Sequence, residues 1–457
     1  MASSSSSSIA SDSKNAFDEF QSIPKELKQE ALRRLKSNLT QRKHEIMEAN
    51  SSDLRLAREQ QIDNSEGSIN ESLLKRLDLN SSPDKFDSMV EGLDDVIGME
   101  DPIEKVLSIT RLDDDLDLIK VTCPIGVLLI IFEARPEVMI NITGLAIKSG
   151  NAAILKSGKE SINTQAVLTQ IIDQSLDGLL PRKLIQTVCS RAEIDELLSE
   201  DGFIDLVIPR GSKQLVQHVK SRTNIPVLGH SDGLCTIYLD ESADPIKTSR
   251  CVIDSKITYP AACNSVETLL IHRSLLESDR FASLALDLLN SKVTLKLDRA
   301  SLDSLKNSSL VKDHPLFWTN CSLSKTDEDY RTEWLGLTVS IRTVDSLNEA
   351  IEHINRYSSH HTDSIITESQ SNGQLFCRAV NSSSVYVNCS TRFADGFRYG
   401  FGTEVGISTS KIHARGPVGL DGLVIYKWIM SGGGPRGHIT SEFGGPSGKK
   451  FIHQKIL

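Results

Sequence analysis

Short, wholly apolar runs rich in β-branched residues constrain the fold of this chain most strongly. Residues 125–132 read Ile-Gly-Val-Leu-Leu-Ile-Ile-Phe and carry no polar side chain. A run of this length suits a strand buried on both faces, as in parallel sheets that helices cover. Further strand-like runs, separated by helical patterns, follow at 152–155, 204–208, 234–239, 268–271, 339–344, 364–366 and 385–388. This alternation predicts βαβ units and an α/β fold.

The chain has 457 residues, too many for one hydrophobic core, so we expect two or three domains. Residues 106–122 predict a β-hairpin with an acidic tip, and residues 423–428 predict a lone terminal strand. A domain junction is expected near residues 250–260. The predicted organisation begins with a disordered tail (1–14) and an α/β domain that includes the hairpin (15–255). A second α/β domain (256–415), an oligomerisation strand (416–431) and a flexible tail (432–457) follow.

Composition excludes several classes of protein. The net charge is −10 and no long Lys/Arg run occurs, which argues against binding to nucleic acid or to an anionic membrane. No apolar stretch is long enough to span a bilayer. The eight cysteines form no Cys-x-x-Cys pair, so neither a structural zinc site nor a disulfide scaffold is expected, and a reducing, cytoplasmic location is predicted. The serine run before Lys14 lacks the apolar core of a signal peptide.

One cysteine stands out by its setting. Residues 259–265 read Tyr-Pro-Ala-Ala-Cys-Asn-Ser and precede the apolar run 266–272, so Cys263 is expected in a bend at the edge of a strand. A thiol in a turn can meet a ligand, and as a thiolate it attacks activated carbonyl carbon. The alternative is an inert buried thiol, as most intracellular cysteines are. The residues alone leave both interpretations open.

A set of motifs links this stretch to a known family. Besides 259–265, the first three are Phe-Glu-Ala-Arg-Pro (132–136), Gly-Asn-Ala-Ala-Ile-Leu-Lys (150–156) and Ile-Pro-Arg-Gly-Ser (208–212). They are followed by Leu-Gly-His-Ser-Asp-Gly (228–233) and by the block 388–417, which runs from Asn-Cys-Ser-Thr-Arg-Phe to His-Ala-Arg-Gly-Pro. Their order and spacing resemble the gamma-glutamyl phosphate reductase family, a branch of the aldehyde dehydrogenase superfamily, over roughly residues 20–430. The resemblance implies an aldehyde dehydrogenase-like fold whose first domain binds NADPH, whose second domain is catalytic, and whose strands assemble a homodimer or larger oligomer.

The resemblance also implies a cofactor site. Lys156 matches the lysine that holds the adenosine ribose, and Lys159 stands where NAD-using relatives often carry a carboxylate. A cation beside a 2′-phosphate is worth up to about 4 kcal/mol, so Lys159 favours NADPH over NADH. Gly211 and Ser212 match a turn that meets the pyrophosphate, and Glu333 matches a residue that binds the nicotinamide ribose. Without the resemblance, each would be an ordinary basic turn, β-to-α turn or exposed carboxylate.

Substrate-binding residues are expected around Cys263. Arg135, in a loop before Pro136, could bind an acyl phosphate, although a surface salt bridge to Glu133 explains it equally well. Asn141 is the nearby candidate for the oxyanion-binding asparagine of aldehyde dehydrogenases. For the amino-acid end of the substrate, Arg392 supplies a cation and Glu404 an acceptor, and structural salt bridges are the alternative.

One departure from the hydrolytic relatives sharpens the expected chemistry. Hydrolytic aldehyde dehydrogenases carry a deacylating glutamate where this chain has Val227, so the implied reaction is reduction of L-glutamyl 5-phosphate to glutamate 5-semialdehyde through a Cys263 thioester, in proline biosynthesis. No metal is expected, because the pair His360-His361 with Asp363 lies in a turn before a strand. His230 is expected to be structural. The alternatives are a hydrolytic semialdehyde dehydrogenase and a non-catalytic scaffold for a glutamate 5-kinase, which would also be a partner that supplies the labile acyl phosphate.

Overall fold

The first domain is built on a small parallel sheet. In the computed structural model, the described residues are 6–63, 71–81, 85–188, 190–230, 232–324, 326–433, 435–446 and 448–457. The helices of this domain are α1 (Ser6–Phe20), α2 (Lys25–Gln41), α3 (Lys43–Asp63), α4 (Glu71–Leu77), α5 (Lys85–Gly98), α6 (Pro136–Lys148), α7 (Ile162–Leu176), α8 (Arg191–Leu197) and α9 (Lys213–Arg222). Its strands are β3 (Val127–Phe132), β4 (Ala152–Lys156), β5 (Ile185–Val188) and β6 (Leu206–Arg210), preceded in the chain by β1 (Val106–Asp113) and β2 (Leu116–Pro124).

The order β5-β4-β3-β6 puts the most apolar strand inside the sheet. All six residues of β3 are buried, as the unbroken apolar run predicts. Helix α6 begins at Pro136, whose ring suits a first helical turn, and eleven of its thirteen residues are buried. Strand β3 pairs in parallel with both β4 and β6, so the three carboxyl ends meet at one edge.

The second domain contains a seven-stranded parallel sheet of order β10-β9-β11-β8-β7-β12-β13. Its strands are β7 (Cys235–Leu239), β8 (Val266–His272), β9 (Thr294–Leu297), β10 (Cys321–Leu323), β11 (Thr338–Val344), β12 (Thr362–Ile366) and β13 (Ser384–Val387). Its helices are α10 (Pro245–Ile257), α11 (Asp279–Asn290), α12 (Arg299–Asn307), α13 (Phe317–Asn320), α14 (Leu347–Tyr357) and α15 (Gln370–Ala379). The predicted α/β fold is confirmed, and the short strands β5, β9 and β10 were not foreseen.

A third sheet carries the predicted hairpin. Strands β1 and β2 pair antiparallel, and the remaining strands of the chain are β14 (Gly406–Ser408), β15 (Gly416–Val418), β16 (Val424–Gly432) and β17 (Gln454–Lys455). The four-stranded order is β16-β2-β1-β17, with β16 paired to β2 along its whole length. Among the described helices, none has the length and apolar content needed to cross a bilayer.

The domain junction differs from the prediction of 255–256. Strand β7, expected in the first domain, pairs with β8 and β12 in the second sheet, so the second domain begins before Cys235. At the other end, Val405, expected in the second domain, packs into the apolar core of the first domain, as do Val418 and Leu423 of the expected oligomerisation strand. Strand patterns alone could not reveal this, because they do not say which sheet a strand joins.

Both predicted tails differ from the structure. Residues 6–14, expected to be disordered, lie in α1, where Ile9 and Ala10 are buried and the amide of Gln186 donates to Ile9 O at 2.7 Å. Residues 1–5 lie outside the described part of the chain. In the expected flexible tail 432–457, β17 pairs with β1, and the rings of Phe443 and Phe451 stack at 4.3 Å. Tertiary packing orders both segments despite their serine- and glycine-rich composition.

Candidate active site

Cys263 lies in a tight turn between α10 and β8, as predicted. The turn is held by two backbone hydrogen bonds: Ala262 N donates to Tyr259 O at 3.1 Å, and Ser265 N donates to Ala262 O at 2.9 Å. Residues 264–271 are all buried, whereas Cys263 is partly exposed. The bend therefore leaves the thiol at the amino edge of the seven-stranded sheet, open to a ligand.

Neighbouring segments hold this turn rigidly. The side-chain amide of Asn264 donates to Ala394 O at 2.9 Å, and Thr391 Oγ1 donates to Asn264 O at 2.7 Å. On the other side, a Cβ added to Gly233 would lie 2.0 Å from the carbonyl oxygen of Cys263. Only glycine permits this close approach of two backbones, and the family's Leu-Gly-His-Ser-Asp-Gly motif ends at this residue.

Two histidines flank the thiol. One ligand atom from each of His230, Cys263 and His361 lies within 4.8 Å of the other two. His361 precedes β12 and is fully buried, and its ring meets that of His230 edge-on at 5.0 Å. Burial lowers the pKa of His230, and His230 Nδ1 lies 3.0 Å from Ile407 O. These contacts make His230 part of the site, although its sequence context predicted a structural role.

Cationic side chains also reach the thiol. Arg210, the last residue of β6, interacts electrostatically with Cys263, Arg135 and Glu404, and burial lowers its pKa. Its guanidinium lies 4.0 Å from the Glu404 carboxylate and donates to Glu404 O at 3.2 Å. Burial raises the pKa of Glu404. The structure therefore pairs Glu404 with Arg210, a residue that the sequence analysis did not assign to the site.

Arg392 approaches Cys263 from the second domain. Burial, followed by the neighbouring charge of Arg398, lowers the pKa of Arg392, while Cys263 is among the groups that raise it. Its guanidinium lies 5.8 Å from the ring centre of Tyr259, and its buried Nε has no hydrogen-bond partner among the described residues. A half-buried cation with an unpaired donor is suited to an anionic ligand.

The predicted cofactor residues gather at the carboxyl edge of the four-stranded sheet. Ile131 of β3 faces Lys156 of β4, and Phe132 faces Arg210, which precedes Gly211 and Ser212. This is the edge at which open α/β sheets bind ligands. Ser212 is the N-cap of α9 and accepts from Leu215 N, while its own N–H donates to a Glu133 carboxylate oxygen at 3.2 Å. An anion thus already sits at this helix N-terminus.

The loop after β4, like the turn after β6, is held by a glutamate carboxylate that accepts a backbone hydrogen bond. Lys159 is exposed at the start of a short 3-10 helix, and Glu160 accepts from Ala134 N at 2.7 Å. A Cβ on Gly158 would lie 1.9 Å from the Glu160 carboxylate, and one on Gly211 would lie 2.5 Å from that of Glu133. Glycine lets these carboxylates approach the backbone closely. Backbone amides of such turns, beside two lysines, are the type of donor that binds a dinucleotide phosphate, so these residues fit such a cofactor.

Glu333 links the cofactor edge to the nucleophile. Its carboxylate accepts from Gly233 N at 2.9 Å, directly behind Cys263, and burial raises its pKa. Next to it, Lys213 of α9 pairs with Asp232 at 2.7 Å. A polar cavity of about 370 Å³ opens here between the domains, with Arg331 and Arg356 on its second-domain side. A larger cavity, about 670 Å³, lies between Thr367 and Asn388 and shares no lining residue with this site.

The structure does not join Asn141 to these residues. It lies in α6 beside α5, where its buried Oδ1 would be 3.4 Å from a Cβ on Gly92 and has no hydrogen-bond partner in the described ranges. Conversely, sequence reasoning did not assign Arg210 or His361. Arg210 stood inside the quoted Ile-Pro-Arg-Gly-Ser motif, and His361 in the His-His pair before β12. Only the meeting of the two sheets puts both beside Cys263.

Comparison with known proteins agrees with this architecture. A model of the aldehyde dehydrogenase family matches residues 3–300. The chain is 48% identical to a probable gamma-glutamyl phosphate reductase of Schizosaccharomyces pombe (97% of this chain, 96% of the relative) and 45% identical to the gamma-glutamyl phosphate reductase of Saccharomyces cerevisiae (99% and 98%). The crystal structure of gamma-glutamyl phosphate reductase from Thermotoga maritima superposes with a TM-score of 0.86 at 33% identity (94% and 99%). This chain therefore belongs to the gamma-glutamyl phosphate reductases, enzymes of the aldehyde dehydrogenase family.

Proposed function

We propose that this enzyme reduces L-glutamyl 5-phosphate to L-glutamate 5-semialdehyde with NADPH and releases phosphate, a step of proline biosynthesis. The observation that carries the proposal is the turn of Cys263, which leaves the thiol at a sheet edge within electrostatic reach of Arg210 and Arg392. The names of its relatives over nearly the full chain support the same reaction.

The first step is acyl transfer to the thiol. The Cys263 thiolate attacks the acyl carbon, a carbon–sulfur bond forms, and the carbon–oxygen bond to phosphate breaks with its electron pair on phosphate. A main-chain amide of Cys263 or a neighbour stabilises the oxyanion. Arg210 and Arg392 supply positive charge for the acyl phosphate and the α-carboxylate, and Arg135 adds to the field around Arg210. We also propose that Glu404, which lies beside Arg210, contacts the substrate.

The second step returns the thiolate. Lys156, Lys159, Gly211, Ser212 and Glu333 would hold NADPH, and the chemistry it supplies when bound is a hydride for the thioester carbon. The resulting hemithioacetal collapses to aldehyde and frees Cys263 for another cycle. For Ser212 to bind a phosphate, the Glu133 carboxylate must leave its amide, since one N–H cannot serve both.

A hydrolytic dehydrogenase is the competing function. It would need a carboxylate base where Val227 stands, and Val227 instead packs on the first-domain core beside Val207. An aliphatic side chain there cannot activate water, which favours phosphorolysis and reduction over hydrolysis.

The deciding experiment runs the reaction backwards. Glutamate 5-semialdehyde, NADP and phosphate are mixed with enzyme, and NADPH formation is followed by absorbance with and without phosphate. We expect strict dependence on phosphate, because the thioester has no other acceptor. Activity without phosphate would support the hydrolytic enzyme instead.

A matched pair of variants tests the nucleophile. Cys263→Ala should abolish NADPH formation while leaving folding and cofactor binding nearly intact, and Cys377→Ala, which alters an exposed cysteine of α15, should keep most activity. If Cys263→Ala retained a tenth of the wild-type rate, covalent catalysis at this residue would be wrong.

The described cysteines are all unpaired, which is consistent with the reducing cytoplasm that we propose as the site of the reaction.

We further propose a homodimer as the smallest assembly. Strand β16 is the outer strand of its sheet, and its exposed face carries Tyr426, Trp428 and Met430, 47%, 53% and 59% exposed. An unpaired edge with large apolar side chains invites a partner strand. A glutamate 5-kinase remains the proposed supplier of the labile acyl phosphate.

A further inference from the structure

The two histidines beside Cys263 carry more than a structural role requires. A thiol and two imidazoles from three separate segments, the loops before β7, β8 and β12, bring one ligand atom each to within 4.8 Å of the others. Tetrahedral zinc holds sulfur at about 2.3 Å and nitrogen at about 2.0–2.1 Å. Two ligand atoms on one such ion are therefore about 3.5 Å apart, not much closer than the three atoms here. Binding one ion would therefore require the three atoms to move closer together by about 1 Å.

In both rings it is Nδ1 that makes the hydrogen bond, so Nε2 is the atom placed to bind an ion. His230 Nδ1 donates to Ile407 O at 3.0 Å, which makes Nε2 the atom with a free lone pair. His361 Nδ1 is engaged by Thr362 Oγ1 at 2.8 Å, while His361 Nε2 is buried without a hydrogen-bond partner in the described ranges. A backbone carbonyl on the far nitrogen, as Ile407 provides for His230, is one of the outer-shell partners that metal-bound histidines have.

A buried ring nitrogen without a partner costs free energy, so its orientation calls for a ligand. Asp363, two residues further on, is excluded as that ligand, because its carboxylate accepts from Ser358, Ser382 and Thr236 N. The three atoms that remain, one sulfur and two nitrogens, are the ligand types of zinc rather than of magnesium or calcium.

We propose that His230, Cys263 and His361 form a binding site for a thiophilic divalent cation, typified by Zn²⁺, and that the bound ion reversibly inhibits the enzyme. On binding, the Cys263 thiol loses its proton to solvent and a metal–sulfur bond forms, with no change of oxidation state. A sulfur held by the metal cannot attack an acyl carbon, so inhibition follows directly from ligation. Three protein ligands leave a fourth position for water.

The test measures binding first and activity second. Equilibrium dialysis of the full chain against ZnCl₂ should show one tight site, and Co²⁺ in its place should give a sulfur-to-cobalt charge-transfer band. His361→Ala, His230→Ala and Cys263→Ala should each weaken Zn²⁺ binding by about 100-fold or more, since loss of an outer-shell partner alone costs about 10- to 100-fold. In wild-type enzyme, Zn²⁺ should abolish turnover and a chelator should restore it.

Surface ligands provide the control. The double variant Cys377→Ser/His44→Ala removes an exposed cysteine and a histidine whose side chain is 87% exposed, and it should bind and be inhibited as wild type is. Unchanged Zn²⁺ affinity in Cys263→Ala, or a cobalt spectrum without a sulfur band, would overturn the proposal. If His361→Ala fails to fold, the wild-type cobalt spectrum still decides. None of these binding outcomes depends on the reductase activity.

Discussion

The ion pair between Lys256 and Glu267 gives the sharpest test of how the second domain supports its site. The ammonium on α10 lies 2.8 Å from the carboxylate on β8, and the two side chains are 0% and 1% exposed. Lys256 Nζ also donates to Val266 O, and the second carboxylate oxygen accepts from Leu335 N at 3.4 Å. Through Leu335, the pair also anchors the loop that carries Glu333.

The expected cost of Lys256→Met follows from this burial. Removing one partner of a buried pair costs about 3–5 kcal/mol of unfolding free energy, because the remaining charge is left without compensation. Burial raises the pKa of Glu267 from 4.5 to about 7 even with Lys256 present. Without the ammonium that pKa rises further, so the buried carboxyl takes up a proton, which limits the loss.

The pH dependence follows from the sign of that shift. A carboxyl whose pKa is higher in the folded state stabilises the fold fully below its unfolded pKa, and this contribution disappears as pH rises through the folded pKa. The contribution of Glu267 is therefore complete below about pH 4.5 and is lost as pH rises through about 7. Lys256→Met should be destabilised more at pH 8 than at pH 6.

The assay is urea unfolding followed by circular dichroism at both pH values, with a control on the same helix. Lys247 of α10 lies 2.6 Å from Glu368, but these side chains are 46% and 48% exposed. Lys247→Met should therefore lower the unfolding free energy far less than Lys256→Met does. Lys256→Met should also raise KM for the cofactor, through the Glu333 loop.

A second substitution checks the cause. Combining Lys256→Met with Glu267→Leu removes both charges, and a well-packed apolar pair is often neutral relative to the buried ion pair, so most of the lost stability should return. The reasoning is refuted if Lys256→Met costs no more than Lys247→Met, or if the double variant is less stable than Lys256→Met alone.

Three further outcomes are expected. Lys159→Glu should raise KM for NADPH by about tenfold or more, a loss of about 1.4 kcal/mol in binding free energy. KM for NADH should change little, since only NADPH has a 2′-phosphate. Steady-state kinetics with both cofactors checks this, and equal losses for the two cofactors refute it. Burial lowers the pKa of His353, stacked on Tyr357 at 4.5 Å, from 6.5 to about 3, so its stabilising contribution is present above pH 6.5 and is lost as pH falls towards 3. His353→Phe should therefore abolish about 2 kcal/mol of the stability that wild type loses between pH 7.5 and 5, measured by urea unfolding, and an unchanged pH profile would contradict the shift. Ending the chain before Asp421 removes β16 from its nine-residue pairing with β2 and should give aggregation or a changed oligomer in light scattering, whereas a soluble, active monomer would exclude a role for β16 in assembly.

Local sequence patterns were enough to predict the fold class and to single out Cys263 as the candidate nucleophile. An unbroken apolar run as short as 127–132 favours a strand covered on both faces, so parallel sheets could be predicted from local pattern. Cys263 was found in the same way, because a bend before an apolar run is a local property. The order of the quoted motifs was likewise enough to identify the family.

Which strands share a sheet, and which side chains meet, could be read only from the folded chain. Strand β7 joins the second sheet, and α1 folds onto Gln186, although neither contact leaves a local pattern. The approach of Arg210 and His361 to Cys263 joins segments that lie some 50 and 100 residues away in the chain. Such contacts depend on how the carboxyl ends of the strands of one sheet meet the amino ends of the strands of the other. Hydrophobic periodicity carries no information about partners so distant in sequence.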